Sequence, residues 1–323
     1  MSKIIDCVIP TYHPTERFLE LLSMLGEQSL PIRRVHVINT DKEGFNALLQ
    51  HIGMSEAEFA ARYPFTDVEH INPSEFDHGG TRNRGFFKCA GADYVLLMTQ
   101  DALPCDRELT GKLAEPLDED AGIIASYARQ VANPNATAVE RYSRAFNYPE
   151  ESFVKSQADF ERLGIRTYFC SNVCAMYRKE ALEKLSGFPE HMIFNEDMVF
   201  AGRAMQGGWR IAYAAGARVY HSHNYGPIQQ FRRNFDLGVS QAMHPEIFSG
   251  AKSEGEGVRY VKAVLQMLRE QKALGEAPGF LLTCGFRLVG YQLGKNYRKL
   301  PKGLVRTFSS NRHFWDRHSE QEI

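Results

Sequence analysis

Carboxylates and imidazoles that follow apolar runs are the side chains of this sequence best suited to chemistry. Asp101 comes shortly after the apolar run at residues 95–98, which predicts a strand buried on both faces of a parallel sheet. Open α/β sheets bind their ligands at the carboxyl ends of such strands, so Asp101 is a candidate metal ligand or phosphate-side carboxylate. The structural alternative is that Asp101 only caps the following turn.

Two histidines at the end of a later strand are further candidates for metal binding. His221 and His223 follow a short strand predicted over residues 217–220. Imidazoles two residues apart on an extended segment point to opposite sides, so we expect only one of them to face a given metal. One such imidazole, Asp101 and diphosphate oxygens would together suit Mn²⁺ or Mg²⁺. A lone histidine at a strand end is otherwise more often structural.

An acidic pair, Glu196 and Asp197, opens a helix predicted through residues 198–205 and stopped by Gly207-Gly208. The helix dipole favours acidic residues in a first turn, which is an ordinary structural explanation for the pair. A carboxylate at this position can also present an oxygen to a cleft. There it would be a natural general base for a hydroxyl nucleophile.

The segment Phe76-Asp-His-Gly-Gly-Thr-Arg-Asn-Arg-Gly85 is rich in glycine and arginine. Its glycines allow the backbone to approach a ligand, and Thr81 is expected to open a helix running to about Ala90, with Gly91 as its C-cap. Arginines near a helix start oppose the dipole, and a bound anion would offset that cost. The alternative is a capped surface helix with solvated arginines. We favour anion binding, because the segment leads directly into the strand before Asp101.

The elements that position these residues follow an alternating β/α pattern. Strands predicted at residues 4–9 and 35–38 end in polar loops at residues 10–14 and 39–41, a pattern typical of the nucleotide-binding half of a doubly wound sheet. No G-x-G-x-x-G and no P-loop motif is present, which disfavours a dinucleotide or P-loop site. Further strands are predicted at 67–71, 122–127, 168–177 and 209–213. Further helices are predicted from Thr15 and over 55–63, 229–240, 258–273 and 279–297, and residues 130–167 are expected to be an irregular insertion over the site.

Composition limits the classes of protein that this chain can represent. The chain has 323 residues, 43% of them apolar, which is enough for a sizeable core, and a formal net charge of −1, which does not point to nucleic acid. Its six cysteines are scattered, so we expect no disulfide scaffold and a reducing cytoplasm. The start lacks a signal-peptide core, and no run approaches the length needed to span a bilayer.

The last third of the chain differs in character from the rest. Residues 287–317 are basic and partly apolar. Such a segment could contact an anionic membrane surface, or it could be a helical hairpin packed on the catalytic domain with a solvated face. We therefore divide the chain into residues 1–226 and a helical region at residues 227–323.

Taken together, these motifs resemble family 2 glycosyltransferases with the GT-A fold, most of all the bacterial rhamnosyltransferase branch, over roughly residues 4–245. The resemblance implies an α/β fold with a mostly parallel, Rossmann-like sheet sandwiched by helices and a helical C-terminal extension. Thr99-Gln-Asp101 stands where the family carries its D-x-D metal motif, and Asn195-Glu-Asp197 matches the motif whose Asp is the catalytic base. One departure is that Gln100 replaces an acidic neighbour, which leaves Asp101 as the carboxylate of that motif.

The resemblance also implies residue roles. Asp197, with Glu196 beside it, would be catalytic, and Asp101, His221 and His223 would bind Mn²⁺ or Mg²⁺. Family spacing favours His221 over His223. Arg82 would face the diphosphate, while Tyr12 and Asp41 would hold the base and ribose. The donor-binding residues implied in this way are Pro10, Thr11, Tyr12, Asp41, His78, Gly80, Arg82, Asn83, Gln100 and Asp101.

The reaction implied is an inverting transfer of L-rhamnose from dTDP-β-L-rhamnose to a hydroxyl of a saccharide acceptor, in the assembly of O-antigen or another cell-surface polysaccharide. The acceptor would be lipid-linked at the inner face of the membrane, which gives the basic C-terminal end a function. Three alternatives remain: a UDP- or GDP-sugar as donor, a sugar nucleotidyltransferase, and a non-catalytic nucleotide-sugar-binding protein. The nucleotidyltransferase is disfavoured because residues 10–14 lack a Gly-rich, basic loop.

Overall fold

A computed structural model describes residues 3–250 and 254–317 of the chain. One sheet has the strand order β3-β2-β1-β4-β8-β6-β9-β5, with β7 paired to β9. Its strands are β1 Ile5–Tyr12, β2 Ile32–Thr40, β3 Thr66–Ile71, β4 Tyr94–Met98, β5 Leu103–Pro104, β6 Ile123–Val131, β7 Phe153–Lys155, β8 Cys174–Arg178 and β9 Arg210–Tyr220.

Helices cover both faces of the sheet and form the C-terminal region. They are α1 Glu16–Gly26, α2 Lys42–His51, α3 Glu56–Arg62, α4 His78–Lys88, α5 Leu109–Glu119, α6 Ala138–Asn147, α7 Phe160–Leu163, α8 Lys179–Lys184, α9 Glu196–Gln206, α10 Pro227–Met243, α11 Pro245–Phe248, α12 Glu254–Glu270, α13 Ala277–Lys295, α14 Lys302–Phe308 and α15 Arg312–Arg317.

Strand β4 shows how the sequence pattern produces the two-sided core. Its five residues are buried, and alternate side chains enter different layers, with Leu96 and Met98 in one hydrophobic cluster and Val95 and Leu97 in the other. This confirms the predicted strand buried on both faces. Its neighbours differ from the prediction, since β4 is parallel to β1 but antiparallel to β8.

The crevice for a ligand lies where the strand order reverses. Strand β1 is parallel to both β2 and β4, so the carboxyl ends of these three strands meet at one edge of the sheet. Tyr12 ends β1, Thr40 ends β2, and Gln100 and Asp101 follow β4. Open α/β sheets place ligands at this kind of switch point. This agrees with the pattern of polar loops after neighbouring strands that is typical of the nucleotide-binding half of a doubly wound sheet.

Several element predictions were wrong in their bounds. Helix α4 begins at His78 rather than Thr81, because the side chain of Asp77 accepts a hydrogen bond from the N–H of Gly80 and caps the helix. The two short strands predicted over 209–220 are one strand, β9, with an irregularity where it pairs with β6. Helices α2, α5 and α6 and the shorter helices α7, α8, α11, α14 and α15 were not predicted, and α6 and α7 lie inside the segment expected to be irregular. The strand predicted over 168–177 begins only at Cys174, and Tyr168 ends a 3₁₀ turn over residues 164–168.

The C-terminal region packs through close helix contacts and a small aromatic core. Helices α10 and α13 approach so closely that a Cβ on Gly294 would lie 2.1 Å from the carbonyl oxygen of Phe235. Phe314 and Trp315 of α15 are buried against Phe235 and Ile193. Within residues 3–250 and 254–317, none of the helices combines the length and apolarity required to cross a membrane. The outer ends of the two predicted regions, residues 1–2 and 318–323, lie outside the described residues.

Candidate active site

Asp101, His221 and His223 form one cluster at the crevice. The Nε2 atoms of His223 and His221 lie 3.2 and 3.7 Å from Oδ2 of Asp101, and the two Nε2 atoms are 3.0 Å apart. The prediction that the two imidazoles point to opposite sides is wrong. Strand β9 ends at Tyr220, so residues 221–223 do not follow the alternation of a strand and both rings turn toward Asp101.

The hydrogen bonds around His221 determine which of its two ring nitrogens carries the proton. The Oε1 atom of Gln130 lies 2.9 Å from Nδ1 of His221 and also accepts from the guanidinium of Arg144. The amide nitrogen of Gln130 donates to Ser171, so its oxygen faces the imidazole. Nδ1 of His221 therefore carries the proton, and Nε2 presents its lone pair to the cluster.

The cluster has the donor set of a divalent metal site. One carboxylate oxygen and two imidazole nitrogens lie within 4.8 Å of one another, and His221 is held in orientation from behind by Gln130. Burial lowers the pKa of both His221 and His223, so both rings are neutral near pH 7, which is the form that binds metal. These residues fit Mn²⁺ or a similar ion.

Glu196 and Asp197 lie in the first turn of α9 and have different partners. The guanidinium of Arg82 is 3.2 Å from Glu196, which also accepts from the side-chain amide of Asn172 at 3.0 Å. Asp197 instead accepts from the backbone N–H groups of Asn172 and Met198, at 3.1 and 2.8 Å. Asn172 thus holds both carboxylates.

These environments separate the proton affinities of the two carboxylates. Burial raises the pKa of Asp197, and the negative charge of Glu196 raises it further. Burial also acts on Glu196, but the positive charge of Arg82, helped by the hydrogen bond from Asn172, outweighs it and holds the pKa of Glu196 below its usual value. An ionised carboxylate thus lies beside one with a high proton affinity, and this second group, Asp197, is suited to accept a proton.

Arg82 does not project into solvent as a surface arginine would. It is 7% exposed, and its guanidinium donates to the backbone carbonyl of His78 at 2.7 Å as well as pairing with Glu196. Arg84, the second arginine of the same segment, forms ion pairs with Glu69 and Glu75 on the outer face of the protein. Arg82 therefore holds the acidic pair, and its contact with a diphosphate stays a prediction.

The start of α4 packs closely against the loop before α9. This contact within the protein, rather than a ligand, explains the glycines at the start of α4. A Cβ on Gly79 would lie 1.7 Å from the carbonyl oxygen of Pro189, so this glycine permits a close backbone contact within the protein. The side chain of Asn83 makes two hydrogen bonds to the backbone of Phe188. Its oxygen accepts from the N–H at 2.8 Å, and its nitrogen donates to the carbonyl at 2.9 Å. The N–H of Gly80 is used by Asp77. Asn83 and Gly80 thus have structural partners here, and as donor contacts they stay predictions.

Gln100 holds the backbone at the end of β1, and the aromatic ring of Tyr12 there is exposed. The side chain of Gln100 makes two hydrogen bonds to the backbone of Tyr12, at 2.9 and 3.0 Å. Thr11 is buried and donates to Asn39, whereas the Tyr12 side chain is 56% exposed. Gln100 therefore positions the loop that presents Tyr12. Pro10 is half-buried in the same strand.

Asp41 lies beside this loop, at the end of β2. It has a positive φ of 72° and caps α2 by accepting from the N–H of Glu43. Its carboxylate also lies 3.4 Å from the imidazole of His13. Asp41 is thus a structural cap whose carboxylate stays near the crevice, as a contact with the base or ribose requires.

Two cavities share Phe194 and Arg233, and His78, which borders one of them, lies 3.9 Å from Glu196. One of about 450 Å³ is bordered by Tyr12, His78 and Phe194, and one of about 500 Å³ by His223, Phe194 and Arg233. Arg233 borders both and lies over the rings of Phe194 and Tyr225, at 5.3 and 4.9 Å. The crevice can therefore hold a nucleotide on one side and a second substrate on the other.

Sequence reasoning missed Arg233, Asn172 and Gln130. Arg233 falls within a helix that was predicted, but its apolar pattern gives no sign that one arginine faces the cavities. Asn172 and Gln130 act through contacts with residues far along the chain. No local motif distinguishes either of them.

Comparison with known proteins identifies a family model and two close relatives. The model, described as glycosyltransferase like family 2, matches residues 3–239. The O-antigen chain rhamnosyltransferase RfbN of Salmonella typhimurium is 37% identical over 315 residues, which cover 97% of this chain and 96% of that protein. The O-antigen chain rhamnosyltransferase WbaN of Salmonella anatum is 42% identical over 249 residues, which cover 76% of this chain and 78% of the relative.

Solved structures share the fold at low sequence identity. The mannosyltransferase PcManGT from Pyrobaculum calidifontis, in complex with GDP-Man and Mn²⁺, gives a TM-score of 0.55 at 16% identity, covering 99% of this chain and 86% of that one. Residues 1–349 of S. aureus TarS, in complex with UDP-GlcNAc, give 0.51 at 17% identity, covering 92% of both chains. The predicted α/β GT-A architecture is confirmed.

Proposed function

The chain belongs to the glycosyltransferase-like family 2 and is a glycosyltransferase, and we propose that it moves L-rhamnose from dTDP-β-L-rhamnose to a hydroxyl of a saccharide acceptor in O-antigen assembly. The observation that carries the proposal is the link between Asp197, a carboxylate of high proton affinity, and the Asp101-His221-His223 cluster. The N–H of Asn172 donates to Asp197, and the adjacent Ser171 accepts from Gln130, which bonds to His221. The names of two relatives, one aligned along nearly the whole chain, support rhamnose as the sugar.

The donor lies along the carboxyl ends of β1, β2 and β4. Its base packs on the exposed ring of Tyr12, near Asp41, and its diphosphate lies beside Asp101. A divalent cation held by Asp101, His221 and His223 would neutralise the charge that develops on the diphosphate as it leaves. Arg233, which borders both cavities, adds a fixed positive charge at their junction.

The transfer is a single displacement at the anomeric carbon. Asp197 takes the proton of the acceptor hydroxyl as its oxygen forms the new glycosidic bond, and the bond from the anomeric carbon to the diphosphate breaks. The electron pair of that bond leaves with the nucleoside diphosphate. Attack from the opposite face inverts the centre, so a β-linked donor gives an α-linked rhamnoside. Ionised Glu196 favours this step, because its charge strengthens the base beside it.

The acceptor enters from the cavity of about 500 Å³, a volume usual for a ligand site. This cavity reaches His223, and seven Phe and Tyr rings lie in its lining beside charged side chains such as Arg144, Lys155 and Arg287. Aromatic rings offer flat apolar surfaces to the faces of sugar rings, which supports a saccharide as the second substrate. The rings that line it are Tyr127, Phe146, Phe153, Phe169, Phe194, Tyr225 and Tyr260.

We place a lipid-linked acceptor and a peripheral membrane contact on the outer face of α13. Leu281, Leu282, Leu288 and Val289 are 46 to 60% exposed on this helix, at a spacing that puts them on one face. Exposed basic residues follow in the same region, among them Lys295, Arg298 and Lys299. Apolar side chains beside positive charges suit an anionic bilayer surface at the cytoplasmic face of a membrane.

Vesicle sedimentation tests the membrane contact. The protein should sediment with anionic vesicles and much less with neutral ones, and the double variant Leu282→Glu, Val289→Glu should lose this binding. Phe87→Glu, which alters an exposed aromatic residue on α4, is the matched control and should sediment like the native chain. If the double variant sedimented with anionic vesicles as much as the native chain does, this face of α13 would not be the membrane contact.

Donor specificity is tested by offering dTDP-rhamnose, UDP-glucose, UDP-galactose and GDP-mannose, each with Mn²⁺, Mg²⁺ or EDTA. The measurements are released nucleoside diphosphate and the heat of binding. Metal-dependent binding and slow hydrolysis of dTDP-rhamnose alone is the expected result. Preference for a UDP- or GDP-sugar would keep the mechanism and overturn the rhamnosyl assignment.

A further inference from the structure

The cavity beside Tyr12 and His78 is closed on one side by a segment from the far end of the chain. Residues 310–313 line it, opposite the ends of β1 and β2. This cavity, of about 450 Å³, is the one in which the proposed function places the nucleotide. The segment lies outside residues 3–239, which match the family model, so it is a feature of the C-terminal region.

The segment is held in place by buried contacts. The carboxylate of Asp236, on α10, accepts a hydrogen bond from the N–H of Ser310 at 2.8 Å, and Asp236 is 2% exposed. Ser309 is 1% exposed and accepts from the N–H of Asn311 at 3.0 Å. Just beyond, Phe314 is buried in the aromatic core of the helical region. The segment is therefore a fixed wall rather than a mobile loop.

The lining of this cavity is suited to an aromatic anion. Arg233 and Arg312 carry positive charge, and the carboxylate that faces them from the lining, Asp236, is buried and bonded to the wall itself. Arg312 is exposed and has no ion pair among residues 3–250 and 254–317. The rings of Tyr12 and Phe76 supply flat apolar surface in the same space. A nucleoside diphosphate combines these two properties, a planar base and a compact negative charge.

We propose that residues 310–313 complete the donor site, that Arg312 binds the diphosphate-bearing part of the nucleotide, and that Asp236 is a positioning residue for this wall. The inference rests on the proposed function for the choice of a nucleotide ligand. It adds a donor contact from a segment distant in sequence from every motif of the crevice. Asp236 would act on the donor through the wall, which it holds by accepting from the N–H of Ser310.

Calorimetric titration of the full-length chain with dTDP and Mn²⁺ tests the role of Arg312. Arg312→Ala should raise the Kd for dTDP about tenfold, the loss expected for one charge-assisted contact, and Arg312→Glu should raise it further. Arg312→Lys should retain most of the affinity. Lys262→Ala is the matched control, because it removes an exposed cation of the helical region away from the cavity, and it should bind dTDP like the native chain.

Steady-state kinetics with dTDP-rhamnose test Asp236. Asp236→Ala should raise the donor KM with kcat at saturating donor unchanged, and Asp236→Asn, which keeps an acceptor for Ser310, should restore the KM. A general loss of structure would instead lower kcat and the thermal midpoint together, without rescue, and would overturn the positioning role.

The two proposals fail in different ways. Native dTDP affinity in Arg312→Glu would overturn the donor wall and leave the transferase assignment untouched. A native chain that binds dTDP through Arg312 but turns over no rhamnosyl donor would instead overturn the proposed function.

Discussion

Arg82 on α4 and Glu196 at the start of α9 form a buried ion pair, with 3.2 Å between guanidinium and carboxylate. Both side chains are under 10% exposed, so their charges interact with little screening. The pair keeps Glu196 ionised, and that charge in turn strengthens Asp197 as a base. An arginine expected to bind the donor thus also raises the proton affinity of Asp197, the proposed general base, through Glu196.

Arg82→Met should be strongly destabilising, because it leaves Glu196 buried without its partner. Breaking such a pair costs about 3 to 5 kcal/mol of unfolding free energy. Arg84→Met on the same helix removes exposed ion pairs and should cost at most about 1 kcal/mol. Urea denaturation of both variants measures the difference, and equal losses would show that the Arg82 pair contributes no more than a surface contact.

Asp197→Asn should abolish turnover while the donor still binds. An amide has nearly the shape of the carboxylate but cannot accept the acceptor proton, and loss of a general base costs about 10²- to 10⁴-fold in rate. Single-turnover transfer gives the rate, and calorimetry with dTDP gives the binding. Glu180→Gln, at an exposed site on α8, should retain full turnover. Full activity of Asp197→Asn would remove this residue from the mechanism.

The pH dependence of kcat/KM should have an acidic limb set by Asp197. Burial and the charge of Glu196 raise the pKa of Asp197 to about 7, and only the ionised form can take a proton. Activity should therefore be lost as the pH falls through about 7, by about tenfold per pH unit below it. A limb near pH 4, where an exposed aspartate titrates, would contradict the assignment.

Gln130→Ala should weaken metal binding without removing a ligand. The side-chain oxygen of Gln130 fixes the ring of His221 through Nδ1. Loss of such a supporting contact raises the metal concentration for half-maximal activity by about 10- to 100-fold. Activity at saturating Mn²⁺ should stay near the native value. Gln266→Ala, at an exposed site on α12, is the control, and an unchanged Mn²⁺ requirement in Gln130→Ala would show that His221 needs no support.

Lys155→Met should change how stability depends on pH. Lys155 is 2% exposed, and burial lowers its pKa to about 7, so between about pH 7 and 10 the unfolded chain binds a proton that the native chain does not. The native protein should therefore gain stability over the variant as the pH rises from 7 to 9, by at most about 1.4 kcal/mol per unit. Urea denaturation at pH 7, 8 and 9 measures this gain. Lys299→Met, which alters an exposed lysine, should show no such gain. A difference in unfolding free energy between the native protein and Lys155→Met that stayed constant from pH 7 to 9 would refute the expectation.

Much of the fold could be predicted because its signals are local. The apolar run at 95–98 and the helical spacing of Phe18, Leu21 and Leu22 each specify one element and the face it buries. The ordered motifs also identified the family. Helix α6 escaped prediction although Val139, Tyr142 and Phe146 have helical spacing, because the prolines and asparagines that flank it marked residues 130–167 as irregular.

By itself, the sequence determined which residue types are present at the ends of the strands, and hence Asp101, Asp197 and the two histidines as candidates. The tertiary structure decided how they meet. Strand β9 ends before His221 and so lets both imidazoles face Asp101. Arg82, from α4, pairs with Glu196, and the two carboxylates therefore differ in proton affinity. Arg233 and Arg312 enter the crevice from helices that follow the catalytic motifs. Such contacts depend on how distant segments pack, and no short stretch of sequence encodes that.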